Sequence, residues 1–144
     1  MGKSFYGIAV MLLFLAGCKS SKTGSTNNVQ VRFLDEYIIP DSLEIGKTLV
    51  GGLSGIDYSN GKYFIVSDNP SNPRFYKVDI QIENEEIDTI IFSEVIELNT
   101  EDSILQNKHL DLEGIRYSSK NENIIVSSEG AIKNSKDPGI FVIS

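Results

Sequence analysis

Apolar and polar residues alternate in short runs along most of this chain, and polar turn sequences separate the runs. The runs are rich in β-branched and aromatic residues, which favour strands over helices. Segments such as Ser59-Asn60-Gly61 and Asn69-Pro70-Ser71-Asn72-Pro73 are typical of turns between strands. We predict strands at residues 29–39, 53–59, 63–68, 74–82, 88–98, 112–118, 123–129 and 139–144. A helical turn is expected only around Glu101 to Gln106, so the predicted fold class is all-β.

An internal repeat indicates how these predicted strands are arranged. The segment LSGIDYS at 53–59 aligns with LEGIRYS at 112–118. With one inserted residue, Ile65-Val66-Ser67 then aligns with Ile125-Val126-Ser127, and PRFY at 73–76 later meets PGIF at 138–141. Repeats of a few tens of residues, each with about four short strands, are typical of a β-propeller. We therefore expect β-propeller-like antiparallel blades, the first built from the four predicted strands between residues 53 and 98.

The repeats cover about two blades, whereas a propeller closes a ring of about four to eight. An incomplete ring leaves blade faces and strand edges uncovered. We expect the sequence to be the N-terminal part of a longer propeller, in which residues 29–39 supply a strand of the last blade. Assembly of several chains is the alternative.

The first eighteen residues have the form of a bacterial lipoprotein signal. Lys3 precedes the apolar run FYGIAVMLLFL at 5–15, which suits a signal peptide and is shorter than the roughly 20 residues that span a bilayer. Leu15-Ala16-Gly17-Cys18 resembles a lipobox, so we predict cleavage after residue 17 and acylation of Cys18, for example with palmitate. A buried helix followed by an ordinary core cysteine is the alternative. Cys18 is the single cysteine of the chain, so it has no intrachain disulfide partner.

The residues after the cysteine look like a tether. KSSKTGSTNN at 19–28 has no apolar residue, which favours a flexible linker. We therefore assign 1–17 to a signal peptide, 18–28 to a tether and 29–144 to the propeller domain. No acidic run follows Cys18, so we expect the lipid anchor to hold the protein on the periplasmic face of a bacterial membrane.

The net charge of −7 narrows the range of partners. An acidic surface repels phosphate backbones, so we expect no nucleic-acid partner. The charge is compatible with cation binding, but the favoured interpretation is that it keeps the protein soluble.

Several longer strings resemble a known family. VGGLSGIDY at 50–58, YFIVSD at 63–68 and PRFY at 73–76 are similar to the opening of the phytase-like propeller family, also described as having esterase-like activity of phytase. DLEGI at 111–115, VSSEG at 126–130 and PGI at 138–140 resemble its next signature, and the similarity runs from about Phe33 onwards. The resemblance implies hydrolysis of phosphate or carboxylic esters, with a small-molecule ester as substrate. The alternative is a non-catalytic propeller that serves as a binding or scaffold module in the cell envelope, because fold alone does not fix function.

Candidate site residues are those in which the two repeats differ, because shared positions are expected to form the framework. Three such positions in the second repeat are Glu113 in place of Ser54, Arg116 in place of Asp57, and Glu129 near the place of Asn69.

The innermost strand of a propeller blade borders the central channel, which would place Asp111, Glu113 and Arg116 near its mouth. Glu113 opens that strand and Glu129 ends the strand paired with it, so we expect their carboxylates to converge. We assign Glu113, Glu129 and Arg116 as candidate catalytic residues. Asp111, Glu113 and Glu129 are candidate ligands of calcium, a hard cation that takes oxygen ligands and could bridge to a phosphate ester. The alternative gives Glu113 a structural role, capping backbone amides beside Arg116.

Other catalytic patterns fit less well. Gly52-Leu53-Ser54-Gly55 lacks one residue of the G-x-S-x-G motif and begins a strand, whereas that motif needs a strand-to-helix turn. His109, the single histidine, lies in the polar segment Asn107-Lys108-His109. We expect a solvated loop histidine there rather than a member of a Ser-His-Asp triad.

Overall fold

Strands account for nearly all of the regular structure in the part of the chain that the structure describes. A computed structural model of the chain describes residues 29–99, 101, 105–106 and 108–144, and the strands all lie in the unit formed by residues 33–144. The predicted signal peptide, Cys18 and the predicted tether lie outside the described residues. The strands are β1 (Glu44–Ile45), β2 (Thr48–Leu49), β3 (Leu53–Ser59), β4 (Lys62–Ser67), β5 (Arg74–Glu83), β6 (Glu86–Glu97), β7 (Leu112–Ser118), β8 (Asn123–Ser128) and β9 (Gly139–Ile143).

These strands form three antiparallel sheets. The order in the largest sheet is β3-β4-β5-β6, which we call blade 1, and in the next it is β7-β8-β9, which we call blade 2. The short β1-β2 hairpin is the third sheet. Each strand pairs with its neighbour in sequence, as expected of propeller-like blades. The predicted all-β fold class with incomplete propeller-like blades is confirmed.

The main departures from the predicted elements are at residues 29–39 and in short irregular elements. No strand is present at 29–39, although the alternating pattern predicted one. A strand requires backbone pairing with a neighbouring strand, and none of the sheets in the described residues includes this segment. Its contact with β6 is instead made by a side chain, because the backbone N–H of Ile87 donates to the Asp35 carboxylate at 2.7 Å. The β1-β2 hairpin and a single 3-10 turn at Ile132–Asn134 were not predicted. Of the helical turn expected around 101–106, the described residues 101, 105 and 106 lie in turns.

The main core lies between the two blades. Phe64 and Val66 of β4 pack in one cluster with Leu112 of β7 and Val126 of β8. The Phe64 ring also stacks on Tyr117, with ring centroids 4.8 Å apart and an interplanar angle of 2°. A second cluster covers the opposite face of blade 1. It contains Val50, Ile65, Tyr76, Val78 and Phe92, with Ile39, Leu43 and Ile45 packed against it.

The register of the two inner hairpins corrects the sequence alignment. Leu53 is paired with Ser67, and Leu112 is paired with Ser128, so Ser128 is the counterpart of Ser67. The alignment of Ile65-Val66-Ser67 with residues 125–127 is therefore wrong by one residue. Side chains alternate between the two faces of a strand, so a slip of one exchanges the faces.

Packing supports this corrected register. Val66 and Val126 both pack in the core between the blades. Val66 is therefore on the face of blade 1 that meets the next blade, whereas Val126 is on the face of blade 2 that meets the preceding blade, and the two valines are not equivalent. In the corrected register Glu129 takes the place of Asp68, not the neighbourhood of Asn69. The backbone agrees, because the Asp68 N–H donates to the Gly52 carbonyl at 2.7 Å and the Glu129 N–H donates to the Asp111 carbonyl at 3.1 Å.

Candidate functional site

Asp111 and Glu129 lie side by side at one end of blade 2. The backbone hydrogen bond between them extends the β7-β8 ladder by one step. The neighbouring Ser128 is buried, and its hydroxyl donates to the His109 carbonyl at 2.8 Å and accepts from the Gly130 N–H at 3.1 Å. This one hydroxyl therefore ties the segment before β7 to the turn after β8, which holds both carboxylate-bearing residues at the same edge.

The two residues line an open depression, which we call the blade 2 depression. Its other lining residues are His109, Gly130, Ala131, Ile132, Lys133, Asn134 and Pro138. Gly130 has φ of 68°, and a Cβ there would lie only 2.5 Å from the Lys136 carbonyl oxygen. A glycine is thus required for the loop that forms one wall. Residues that carry two carboxylates, an imidazole and an ammonium group therefore line this concave surface.

Glu113 occupies a different place from Asp111 and Glu129. The ladder pairs Leu112 with Ser128 and Gly114 with Ser127, which leaves Glu113 as the extra residue of a β-bulge. Glu113 is exposed and is absent from the lining of the blade 2 depression. Across the ladder, Glu129 is joined to Asp111 and not to Glu113.

Arg116 connects the two blades. Its Nη1 atom lies 2.8 Å from Oδ1 of Asp57, and the second Asp57 oxygen accepts from the Tyr117 N–H at 2.8 Å. The Asp57 side chain is 7% exposed, whereas that of Arg116 is 73% exposed. Arg116 thus joins β7 to β3 through a buried carboxylate, and its catalytic role stays a prediction.

Blade 1 contacts blade 2 through Ser54 and Asp57. These are the positions at which the second repeat carries Glu113 and Arg116. Besides Asp57, Ser54 donates its hydroxyl to the Leu112 carbonyl at 2.8 Å. The inner strands approach closely at Gly55, where a Cβ would lie 2.7 Å from the Glu113 carbonyl oxygen and 2.9 Å from the Gly114 Cα. A side chain at this position would therefore require the backbone of the neighbouring blade to shift. The cross-blade roles of Ser54 and Asp57 were missed, because a sequence repeat does not show which side chain reaches its neighbour.

His109 is a site residue that the sequence analysis set aside. It is only partly exposed, its carbonyl is held by Ser128, and it lines the depression with Asp111 and Glu129. Its position two residues before Asp111 was the available indication.

The described residues contain no group of three or more His, Cys, Asp and Glu side chains that could hold a metal ion together. Asp111 and Glu129 share the depression, and Glu113 does not line it. Calcium binding by these three residues stays a prediction. No helix in the described part of the chain is long and apolar enough to cross a membrane.

Two antiparallel blades, stacked through their inner strands, place the protein in the class of β-propeller proteins. The sequence model of the family described as "Phytase-like: Esterase-like activity of phytase" matches residues 48–144. This match covers more than half of the chain, so the protein belongs to the phytase-like family. The match begins at residue 48, whereas the resemblance of the sequence motifs predicted a start near Phe33. No curated protein and no solved structure matches the chain.

Proposed function

We propose that the protein is a hydrolase of phosphate or carboxylic esters and that its chemistry takes place in the blade 2 depression. The observation that carries the proposal is the pairing of Asp111 with Glu129 at one edge of the innermost strand, beside His109. The family description, esterase-like activity of phytase, supports the reaction class.

The groups in the depression suit attack by water on an ester. A carboxylate of Asp111 or Glu129, or the imidazole of His109, can take a proton from water as it attacks. The ammonium group of Lys133 can stabilise negative charge on the ester oxygens. The backbone that carries these groups is fixed by the hairpin end and by the loop at Gly130.

Calcium is part of the proposal, with Asp111 and Glu129 as its ligands. Carboxylate oxygens are the donors that calcium prefers, but it takes six to eight of them, so water, substrate or other carboxylates such as Glu113 must complete the shell. A bound calcium ion would neutralise charge on a phosphate ester. Glu113 and Arg116 remain candidates, with Arg116 acting through its contact with Asp57.

The test is ester hydrolysis by the full chain with p-nitrophenyl phosphate and p-nitrophenyl acetate as substrates. We expect Asp111→Asn and Glu129→Gln each to lower kcat/KM by at least about tenfold, in line with loss of a general base. Glu122→Gln is the matched control, because Glu122 is exposed in the turn at the other end of the β7-β8 hairpin.

Calcium should raise the Tm of the wild type and not that of the Asp111 and Glu129 variants. The Glu113→Gln variant tests whether Glu113 takes part in hydrolysis. If Glu113 has only a structural role in the β-bulge, this substitution should leave kcat/KM unchanged. Unchanged hydrolysis in both the Asp111 and Glu129 variants would overturn the proposed site.

A non-catalytic binding or scaffold role is the second candidate function. It is favoured by Ile140 and Val142 on β9, the last strand in the order of blade 2, whose side chains are 76% and 53% exposed. Exposed apolar side chains on a sheet face are typical of interaction surfaces. Absence of hydrolysis in the wild type, with self-association or partner binding that Ile140→Lys abolishes, would support this role.

Membrane attachment is proposed from the lipobox-like sequence alone, and places the hydrolase in the cell envelope on the periplasmic face. Metabolic labelling with palmitate should tag the wild type and not Cys18→Ala. A matched Ser20→Ala variant should keep the label. Labelling of Cys18→Ala would refute lipidation at this residue.

A further inference from the structure

Arg74, the first residue of β5, is a buried cation. The residue is 4% exposed, and each of its guanidinium nitrogens has one neutral oxygen as partner. Nε donates to the Tyr76 hydroxyl at 2.6 Å, Nη1 to the Asn72 carbonyl at 2.8 Å, and Nη2 to the Leu49 carbonyl at 3.3 Å. The guanidinium carbon also lies 5.7 Å from the centre of the Tyr76 ring.

The positive charge of Arg74 has no counter-ion among the described residues. No carboxylate oxygen of those residues lies within 4.0 Å of its nitrogens. Glu97 is directly opposite Arg74 in the β5-β6 ladder, but its carboxylate accepts from Asn72 Nδ2 at 3.1 Å and from the Thr48 hydroxyl at 3.5 Å. A buried charge without a partner is unfavourable, which suggests that an anion supplies the missing partner.

Arg74 also has hydrogen-bonding capacity to spare. A guanidinium carries five N–H groups, and three of those of Arg74 are used. One N–H therefore remains on each of the two terminal nitrogens. Two such donors on adjacent nitrogens match the oxygens of a carboxylate or phosphate group.

The arginine lines an open depression at one end of blade 1, which we call the blade 1 depression. Its other lining residues are Leu49, Gly51, Gly52, Asp68, Asn69 and Pro70. We propose that this depression is a binding site for an oxyanion group, phosphate or carboxylate, with Arg74 as the residue that recognises it. The site is separate from the blade 2 depression and does not depend on the proposed hydrolysis.

The second repeat shows that a blade can be built without this arginine. Arg74 is paired with the buried Ser67, and Gly139 is paired with the buried Ser128, so Gly139 holds the equivalent place in blade 2. The strand forms and pairs in register in both cases. The buried cation is thus not a requirement for strand pairing in a blade, and its two unused N–H groups are available to a ligand.

Asp68 sets the affinity of the proposed site. Its carboxylate lies over Gly52, where any Cβ would overlap Oδ1, and Asp68 lines the same depression as Arg74. Asp68 is exposed, and its negative charge opposes a bound oxyanion. Removal of this charge should therefore tighten the binding of an oxyanion by Arg74.

The test is isothermal titration of the purified full chain with inorganic phosphate and, separately, acetate at low salt, where charge interactions are least screened. We expect Arg74→Gln to weaken binding by at least about tenfold and Asp68→Asn to tighten it by about threefold. Lys77→Gln is the matched control. It removes one positive charge from the same strand, where Lys77 is paired with Glu94 at 2.7 Å, and should leave the affinity within about twofold.

The two titrants identify the source of the oxyanion. Tighter binding of phosphate indicates a phosphate group, and equal or tighter binding of acetate indicates a carboxylate. If Arg74→Gln fails to fold, Asp68→Asn decides the question. Absence of binding by the wild type, or an affinity in Asp68→Asn no higher than in the wild type, would overturn the proposal.

Discussion

Blade 1 and blade 2 begin with the same sequence motif but differ in what surrounds them. The middle of blade 1, around Val66 and Tyr76, is buried on both faces, because one face packs on blade 2 and the other is covered by Ile39, Leu43 and Val50. Blade 2 packs on blade 1 through one face, while Ile140 and Val142 on its other face are exposed. The comparison shows that the repeated motif sets the strand, whereas the neighbouring layer sets how deeply each residue is buried.

The polar ends of the two blades differ in charge as well. In blade 1 the edge carries a glycine at 52 and a buried arginine at 74, with Asp68 beside them. In blade 2 the corresponding edge carries Asp111 and Glu129 and lacks the arginine. A single backbone pattern therefore presents an anion-binding group in one blade and a carboxylate pair in the other.

The largest expected effect is on stability, at the equivalent repeat positions Leu53 and Leu112. It tests whether the neighbouring layer decides how deeply each leucine is buried. Leu112 is fully buried in the core between the blades, whereas Leu53 is only partly buried. Leu112→Ala should lower the free energy of unfolding by about 2–5 kcal/mol, because it removes transfer free energy and leaves a cavity. Leu53→Ala should cost less than half as much. Urea denaturation of the two variants measures the difference, and equal losses would contradict the comparison.

The next effect concerns the contact between the inner strands. A Cβ at Gly55 would meet backbone atoms of Glu113 and Gly114, whereas a Cβ at Gly114 would meet the Ser127 hydroxyl oxygen at 2.6 Å. A side-chain hydroxyl can rotate away and a backbone cannot. Gly55→Ala should thus lower the free energy of unfolding by about 1–3 kcal/mol, and Gly114→Ala by clearly less. Thermal denaturation checks the order of the two Tm values, and the reverse order would show that the blades do not meet at Gly55.

The third effect concerns the ion pair between the blades, where Arg116→Gln is expected to be the smallest change of all. Asp57→Ala leaves the Tyr117 N–H and the Arg116 guanidinium without their acceptor, so it should cost about 1–3 kcal/mol of unfolding free energy. Arg116→Gln should cost about 1 kcal/mol or less, since the arginine is mostly exposed and the amide can still donate.

A double-mutant cycle in urea measures how far this pair couples the blades. Additive effects of the two substitutions would mean that Arg116 does not act through Asp57.

The strands of the two blades were predictable because the information for them is local. Runs of β-branched and aromatic residues between turn sequences mark a strand whatever its partner. The strand predicted at 29–39 is absent because composition alone does not supply a partner strand. This segment has the composition of a strand but belongs to no ladder among the described residues. Identity of residues also misled the alignment of Val66 with Val126, because identity does not report which face a side chain occupies.

The candidate site was predictable in part. Asp111 and Glu129 were both named from the sequence, and the structure brings them together. Glu113 was expected beside Glu129, but the bulge placed it away from the lining of the depression. A bulge arises from the fit between two strands, which the pattern of a single strand does not contain. His109 was set aside because its polar segment predicted a solvated loop. In the structure His109 is partly buried and lines the depression, since a polar sequence does not show what packs beside it.

The sequence by itself determined the all-β class, the positions of the blade strands and membership of the phytase-like family. Each depends on residue type and on spacing along the chain, which folding does not change. Only the tertiary structure decided the register of the repeat, the pairing of Arg116 with Asp57 and the burial of Arg74 without a counter-ion. These depend on contacts between residues far apart in sequence, where one step along a strand moves a side chain to the opposite face.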